Sequence, residues 1–226
     1  MMNPITVLIS DDHTIVRAAL RILLEAAGDI IVVGEATNGQ QAVAEAKRLQ
    51  PHVALMDLGM PLMNGVEAAR QIVNGVPFTR VLVLSGYTDE QHVLQAIQAG
   101  VTGYLFKSTC SNDLLRAIRE VAQGNAFITP SISQRVLTKL RTALDDNQDL
   151  DQNGNSLTSR QAEVLQLIAE GYMTKQIAGM LSLSIKTVEK HRQSLMNRLD
   201  LHKIADLTRF AVSNGVIESR INNMAA

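Results

Sequence analysis

The 226-residue chain contains no tryptophan and a single cysteine, Cys110. One cysteine excludes an internal disulfide and any metal cluster built on several thiolates. Aromatic residues make up 3% of the sequence, too few for a surface that stacks bases or sugars on aromatic platforms. No apolar run reaches the roughly 20 residues of a membrane-spanning helix. The N-terminus lacks the basic stretch and apolar block of a secretory leader. The expectation is a cytoplasmic protein with no membrane partner. What is present is a 46% hydrophobic and 19% charged composition, which excludes global disorder and suits one large or two small domains.

The net charge of −1 conceals an uneven distribution. Residues 1–125 hold 9 Lys and Arg against 12 Asp and Glu, residues 126–156 hold 3 against 4, and residues 157–226 hold 9 against 6. The basic excess is confined to the last segment, as a local nucleic-acid contact requires.

The first half alternates. Ile5–Ile9, Ile30–Val33, Val53–Met56, Val81–Leu84 and Thr102–Phe106 are short apolar runs that read as strands. Apolar residues at helical spacing follow each of them: Val16 to Ala27, Ala42 to Leu49, Val66 to Val73, Val93 to Ala99 and Leu114 to Ala122. Five strands alternating with five helices predict a parallel, doubly wound α/β sheet buried on both faces. Parallel strands bring their carboxyl ends to one edge, where sites form in open sheets. At those ends stand Asp11 and Asp12, Asp57, Ser85 and Lys107. Asp57 taken alone is equally explained as the cap of the turn that follows it, Ser85 as a turn residue, and Asp11 as a helix N-cap. Three carboxylates, a hydroxyl and an amine at four strand ends are poorly explained as turn chemistry. Clustered carboxylates repel one another and call for a hard cation, and a lysine opposite them suits phosphoryl charge.

These blocks, over roughly residues 5–124, resemble the receiver domain of two-component response regulators. The resemblance implies a flavodoxin-like five-stranded fold with Asp57 as phosphoacceptor and a histidine kinase as partner. It also implies Mg²⁺, with Mn²⁺ as an alternative, held by Asp57, by Asp12 directly, by Asp11 through water and by the Gly59 carbonyl. Ser85 then resembles the switch hydroxyl, Tyr104 the switch aromatic, and Lys107 the amine that pairs with phosphate. His13 is expected beside the acids without being a ligand, and Gly59 and Tyr87 are expected to tune the lifetime of the phosphoryl group. Where related receivers follow the lysine with proline, this chain has Ser108. An aspartyl-phosphate phosphatase would need a second Asp two residues after Asp57, and Gly59 stands there. The protein is therefore expected to be a phosphoacceptor with autocatalytic phosphotransfer and slow autodephosphorylation, not an enzyme acting on others.

Ile132, Val136 and Leu140 predict a helix. Asp145 to Ser156, almost wholly polar, predicts a flexible acidic linker. The domain boundaries expected are 1–125, 126–156 and 157–226.

Thr158 and Gln161 fit a T-x-x-Q capping box. Gly171 ends that helix, Thr174 is expected to cap a short second one, and Ser184 a third through Leu199. Two short helices with a tight turn predict a helix-turn-helix. On the third helix Ile185, Val188, Leu195 and Leu199 share the inward side, with Arg192 extending its charge outward past them. Lys186, Glu189, Lys190, Gln193 and Asn197 share the outward side, suited to base edges in a major groove. Thr187, His191 and Arg198 lie on a flank suited to phosphates. A solvated charged face is the ordinary alternative; the short helices in front and the basic excess favour double-stranded DNA. Over about residues 157–220 the chain resembles the LuxR-type four-helix DNA-binding domain. Joined to a receiver, it resembles a response regulator of the NarL/FixJ type. That implies a phosphorylation-switched transcription factor, homodimeric on palindromic or repeated half-sites, with RNA polymerase as a further partner and Lys203 to Asn214 as the dimer face, although Ile204, Leu207, Phe210 and Ala211 on that helix could equally close the small core. The alternative is a phosphorylation-independent DNA-binding or protein-interaction regulator whose receiver serves only to dimerise.

Overall fold

The computed structural model describes residues 4–86, 90–129, 132–133 and 157–217. The chain divides into two compact units, residues 1–148 and 149–226.

The first unit runs β1 (Ile5–Ser10), α1 (Thr14–Ala26), β2 (Ile30–Ala36), α2 (Gly39–Leu49), β3 (Val53–Met56), α3 (Gly65–Gly75), β4 (Arg80–Ser85), α4 (Glu90–Gln98), β5 (Gly103–Phe106), α5 (Ser111–Ala122) and β6 (Phe127–Ile128). The strands form one parallel sheet in the order β2-β1-β3-β4-β5-β6. Strand side chains alternate between two cores, as the period of two dictates. Val7, Ile9, Val53, Leu55, Leu82, Leu84 and Leu105 pack with α1 and α5. Leu8, Ala54, Met56, Val81, Val83 and Tyr104 pack with α2, α3 and α4. The chain leaves β1 toward β2 on one side and reaches β3 on the other. The point where strand order reverses therefore lies between the ends of β1 and β3, where a crevice opens.

Two elements depart from the sequence reading. Strand β2 runs on past Val33 through Gly34 and Glu35 to Ala36. Gly34 and Glu35 break the apolar run, but Glu35 is satisfied laterally by Arg17 and Arg21 of α1. The sheet also has a sixth strand, Phe127 pairing with Gly103 and Ile128 with Tyr104. Ile132 is fully buried in the core that holds Tyr104. The first unit thus continues past residue 125, because burial of Ile132 and pairing of β6 tie the expected connecting segment to the sheet. The rest of the predicted helix and the acidic stretch 145–156 lie outside the described residues.

The second unit contains α6 (Ser159–Ala169), α7 (Thr174–Met180), α8 (Ile185–Arg198) and α9 (Ile204–Ser213). The capping box forms as the spacing predicts: Gln161 N donates to Thr158 Oγ1 (3.3 Å) and Thr158 N to Gln161 Oε1 (3.0 Å). Gly171, at φ +92°, supplies the left-handed turn after α6. Thr174 is not the cap of α7. Met173 holds the extended cap backbone, and its N–H donates to Gln176 Oε1 at 2.8 Å. Ser184 caps α8, accepting from Thr187 N at 3.0 Å.

Candidate functional site

The ends of β1, β3 and β5 bring the expected acids and amine together. Asp11 N donates to the Ala36 carbonyl (3.1 Å) and Asp57 N to the Ser10 carbonyl (2.8 Å), so the backbone fixes both residues where they leave the sheet. Lys107 Nζ donates to Asp11 Oδ2 at 2.8 Å and to Asp57 Oδ2 at 3.1 Å. Lys107 N donates to the Ser85 carbonyl at 2.8 Å, which sets the amine beside β4. Among the described residues all peptide bonds are trans, the Lys107–Ser108 bond included. Ser85 and Tyr104 are both fully buried. The Tyr104 ring stands edge-on to Phe106 at 5.8 Å. Tyr87 lies outside the described residues.

Asp11 is not the N-cap of α1. His13 occupies that position, and Asp11 Oδ1 accepts from His13 N at 2.8 Å, which leaves the Asp11 side chain turned toward the acids. His13 Nδ1 stands 2.7 Å from Asp12 Oδ1 and 3.2 Å from Asp11 Oδ1 at the mouth of the cluster.

Burial raises the pKa of Asp57. Lys107 opposes the rise and the Asp11 charge adds to it, leaving the carboxyl above its usual range. Burial works against the Lys107 cation, yet Asp57 and Asp11 together outweigh it and hold the amine above its usual range. The lysine is therefore a fixed positive charge facing Asp57.

The residues fit a hard divalent cation. Side-chain ligand atoms of Asp11, Asp12, His13 and Asp57 lie within 4.8 Å of one another. Asp12 Oδ1 is buried and its 2.7 Å contact with His13 Nδ1 falls outside hydrogen-bond geometry, which leaves a carboxylate oxygen that a cation would satisfy. Carboxylates of this kind suit Mg²⁺ or Mn²⁺ rather than a soft metal.

Sequence reasoning missed two features beside the acids. Arg17, buried on α1, donates from Nη1 to the Asp11 carbonyl at 2.8 Å. An apolar cavity of about 310 Å³, lined by Val16, Leu20, Leu23 and Leu84, reaches Lys107. The i, i+6 spacing of Asp11 and Arg17 gave no signal, since only the turn into α1 closes the distance.

In the second unit the outward side of α8 is as expected. Lys186, Glu189, Lys190, Gln193 and Asn197 are exposed. Thr187, His191 and Arg192 are half-buried. Val188 and Leu195 are buried, but Ile185 is 48% exposed, because the first turn of α8 extends beyond the small core. Arg198 is partly engaged within the protein, donating to Gln161 Oε1 at 3.3 Å. Gln161 Nε2 donates to Ser194 Oγ at 3.0 Å, so the capping residue of α6 also fixes the angle of α8. Of the expected dimer face, Leu207 and Ala211 are buried and Ile204 is exposed.

Residues 7–119 match the response regulator receiver domain and residues 155–211 the bacterial regulatory proteins of the luxR family. The chain is 35% identical over 214 residues to the response regulator protein VraR of Staphylococcus aureus, covering 95% of this chain and 99% of that one. It resembles the RcsB response regulator of Salmonella typhimurium with TM-score 0.61 and 28% identity, over 94% of this chain and 99% of that one. An RcsB–DNA complex matches with TM-score 0.55 and 27% identity, over 93% and 99% of the two chains. A parallel sheet carrying a lysine-bridged acid cluster, followed by a helix-turn-helix with an exposed polar face, agrees with both family matches: the chain belongs to the two-component response regulators, DNA-binding transcription regulators with a receiver domain and a LuxR-type helix-turn-helix.

Proposed function

We propose that Asp57 accepts a phosphoryl group from a histidine kinase and that this phosphorylation controls DNA binding by α8. The observation that carries the reading is Lys107 Nζ bridging Asp11 and Asp57 beside the buried Asp12 Oδ1. An Asp57 carboxylate oxygen attacks the phosphorus of a phosphohistidine. The P–O bond forms as the P–N bond breaks, and the electron pair leaves with the imidazole. Lys107, held charged by its two acids, exchanges an Asp57 contact for a phosphoryl oxygen. The Ser85 hydroxyl donates to another phosphoryl oxygen. Asp11, Asp12, Asp57 and the Gly59 carbonyl would hold Mg²⁺ or Mn²⁺, which when bound neutralises the charge gathered on the phosphoryl oxygens. Water returns the residue slowly to the free carboxylate, so the chain acts in the cytoplasm as a timed switch and not as an enzyme on other substrates.

On DNA, α8 enters the major groove with Lys186, Glu189, Lys190, Gln193 and Asn197 toward base edges. Glu189 is suited to a cytosine amine. Thr187 and His191 are suited to phosphates, and Arg198 in part, since one of its N–H groups is spent on Gln161. Two copies on paired half-sites gain affinity through effective concentration, with residues 157–226 as the DNA-binding part, α9 as the dimer face and RNA polymerase as a further partner. That RcsB has been solved bound to DNA, in one case as dimers, supports this part of the reading.

The experiment is labelling with radioactive acetyl phosphate and Mg²⁺. The chain is expected to label and Asp57→Asn to remain blank. An equally labelled Asp57→Asn protein would refute the assignment.

A further inference from the structure

We propose that Arg17 is a positioning residue for the cation site, holding the Asp11 backbone so that its carboxylate stays aimed at the acid cluster; the inference rests on the cation site described under the proposed function. Arg17 is 8% exposed. All three of its guanidinium nitrogens are engaged. Nη1 donates to the Asp11 carbonyl at 2.8 Å, Nε to Glu35 Oε2 at 3.1 Å and Nη2 to Thr14 Oγ1 at 3.4 Å. The other polar group of the Asp11 backbone, its N–H, is bound to the Ala36 carbonyl at 3.1 Å. Both sides of this one peptide position are thus fixed, one by the end of β2 and one by α1.

A buried guanidinium is an expensive way to staple a helix to a strand, since apolar packing does the same without desolvating a charge. Its planar fork accomplishes something an apolar side chain cannot: it reaches a carbonyl and a carboxylate at once in a fixed relative geometry. It does so without binding the carboxylate oxygens of Asp11, whose contacts are with His13 N, His13 Nδ1 and Lys107 Nζ. Arg17 therefore leaves those oxygens to a cation while setting where they stand. Glu35 offsets its charge, so the guanidinium adds little net repulsion toward a divalent ion. Groups that orient metal ligands in this way typically change affinity by about 10- to 100-fold when removed.

The test is titration of the full-length chain with Mg²⁺ by isothermal calorimetry, with circular dichroism to confirm folding of each variant. Arg17→Met keeps the apolar stem and removes every donor; its Mg²⁺ dissociation constant is expected to rise about 10-fold or more. Glu35→Gln loosens the outer tie and removes a charge that offsets Arg17 but leaves the Asp11 carbonyl contact; its constant is expected to rise less than that of Arg17→Met. Arg17→Lys, which restores one donor without the planar fork, is expected to bind Mg²⁺ more tightly than Arg17→Met and less tightly than the wild type, and serves if Arg17→Met does not fold. Unchanged or tighter binding by Arg17→Met would overturn the proposal, as would an equal loss in Glu35→Gln, because a mere staple would respond alike to both cuts. Failure of Arg17→Lys to bind better than Arg17→Met would also overturn it. A wild-type chain with no saturable Mg²⁺ binding would overturn the cation site itself and this inference with it. Binding that is lost in Asp12→Asn but untouched in Arg17→Met would overturn this inference alone.

Discussion

Asp57 is held in a place that favours its uncharged form, and the consequence can be measured on the protein alone. Burial raises its pKa more than Lys107 lowers it. A carboxyl with a raised folded pKa costs the folded state stability wherever it is ionised, and that cost fades as pH falls through the folded value toward the unfolded one. Asp57→Asn is therefore expected to stabilise the unphosphorylated protein at neutral pH, with the gain shrinking in acid. Urea denaturation of both proteins between pH 8 and about 4 checks this; an Asn variant no more stable than the wild type at neutral pH contradicts it. Gly65 matters for a steric reason. A Cβ there would overlap the Asp57 carbonyl oxygen and crowd Leu58 Cα, both backbone atoms that move only with the site. Gly65→Ala is expected to cost about 1–3 kcal/mol and to slow acetyl phosphate labelling of Asp57. Normal stability together with normal labelling would show that the backbone yields freely.

At the scale of elements, the edge strand β2 is secured by charge where its sequence turns polar. Arg21 hydrogen-bonds Glu35 and lowers its pKa; partial burial opposes this, and Arg17 adds to the lowering. A depressed folded pKa contributes stability above the ordinary glutamate range, and that contribution is lost as pH falls through the folded value. Glu35→Gln is expected to cost about 1 kcal/mol at pH 7, given partly exposed partners, and close to nothing below the folded pKa. A penalty that persists undiminished in strong acid would mean that packing, not charge, holds β2. At the other edge, β6 and Ile132 extend the sheet past α5. Ile132→Ala removes a fully buried side chain and should destabilise the first unit by about 2–5 kcal/mol, read from its denaturation midpoint. A loss below about 0.5 kcal/mol, the scale of a surface change, would put Ile132 outside the core.

The whole molecule carries a receiver domain and a DNA-binding helix-turn-helix on one chain. Removing a base-reading lysine should weaken specific binding by about 1–3 kcal/mol and relax sequence preference, whereas removing a phosphate contact weakens all sequences alike and lowers the salt slope. Lys190→Ala is expected to behave in the first way and His191→Ala to weaken both duplexes alike, checked by titrating promoter and random duplexes at several salt concentrations. Equal losses on both duplexes for Lys190→Ala would move that lysine to the phosphate flank.

The alternation of strands and helices, the acids at the strand ends and the capping box were all legible because each rests on local chemistry: periodicity of apolar residues, turn residues at strand ends, and a side chain reaching three residues along. Glu35 was not legible as strand, because a lone carboxylate in an apolar run acquires its partners from a helix closed in space. Nor was β6, since two residues carry no detectable period. The order of residue types along the chain decided that there is a parallel sheet, an acid cluster at its carboxyl edge and a helix with one polar face. Tertiary packing alone decided which group bridges those acids, that Asp12 Oδ1 is buried without an aligned hydrogen bond, that Ser85 and Tyr104 lie buried, and that Arg17 reaches the Asp11 carbonyl. The physical reason is range. Propensity and capping act over about one helical turn, whereas a buried charge finds its partner only once distant segments have met and water has been excluded between them.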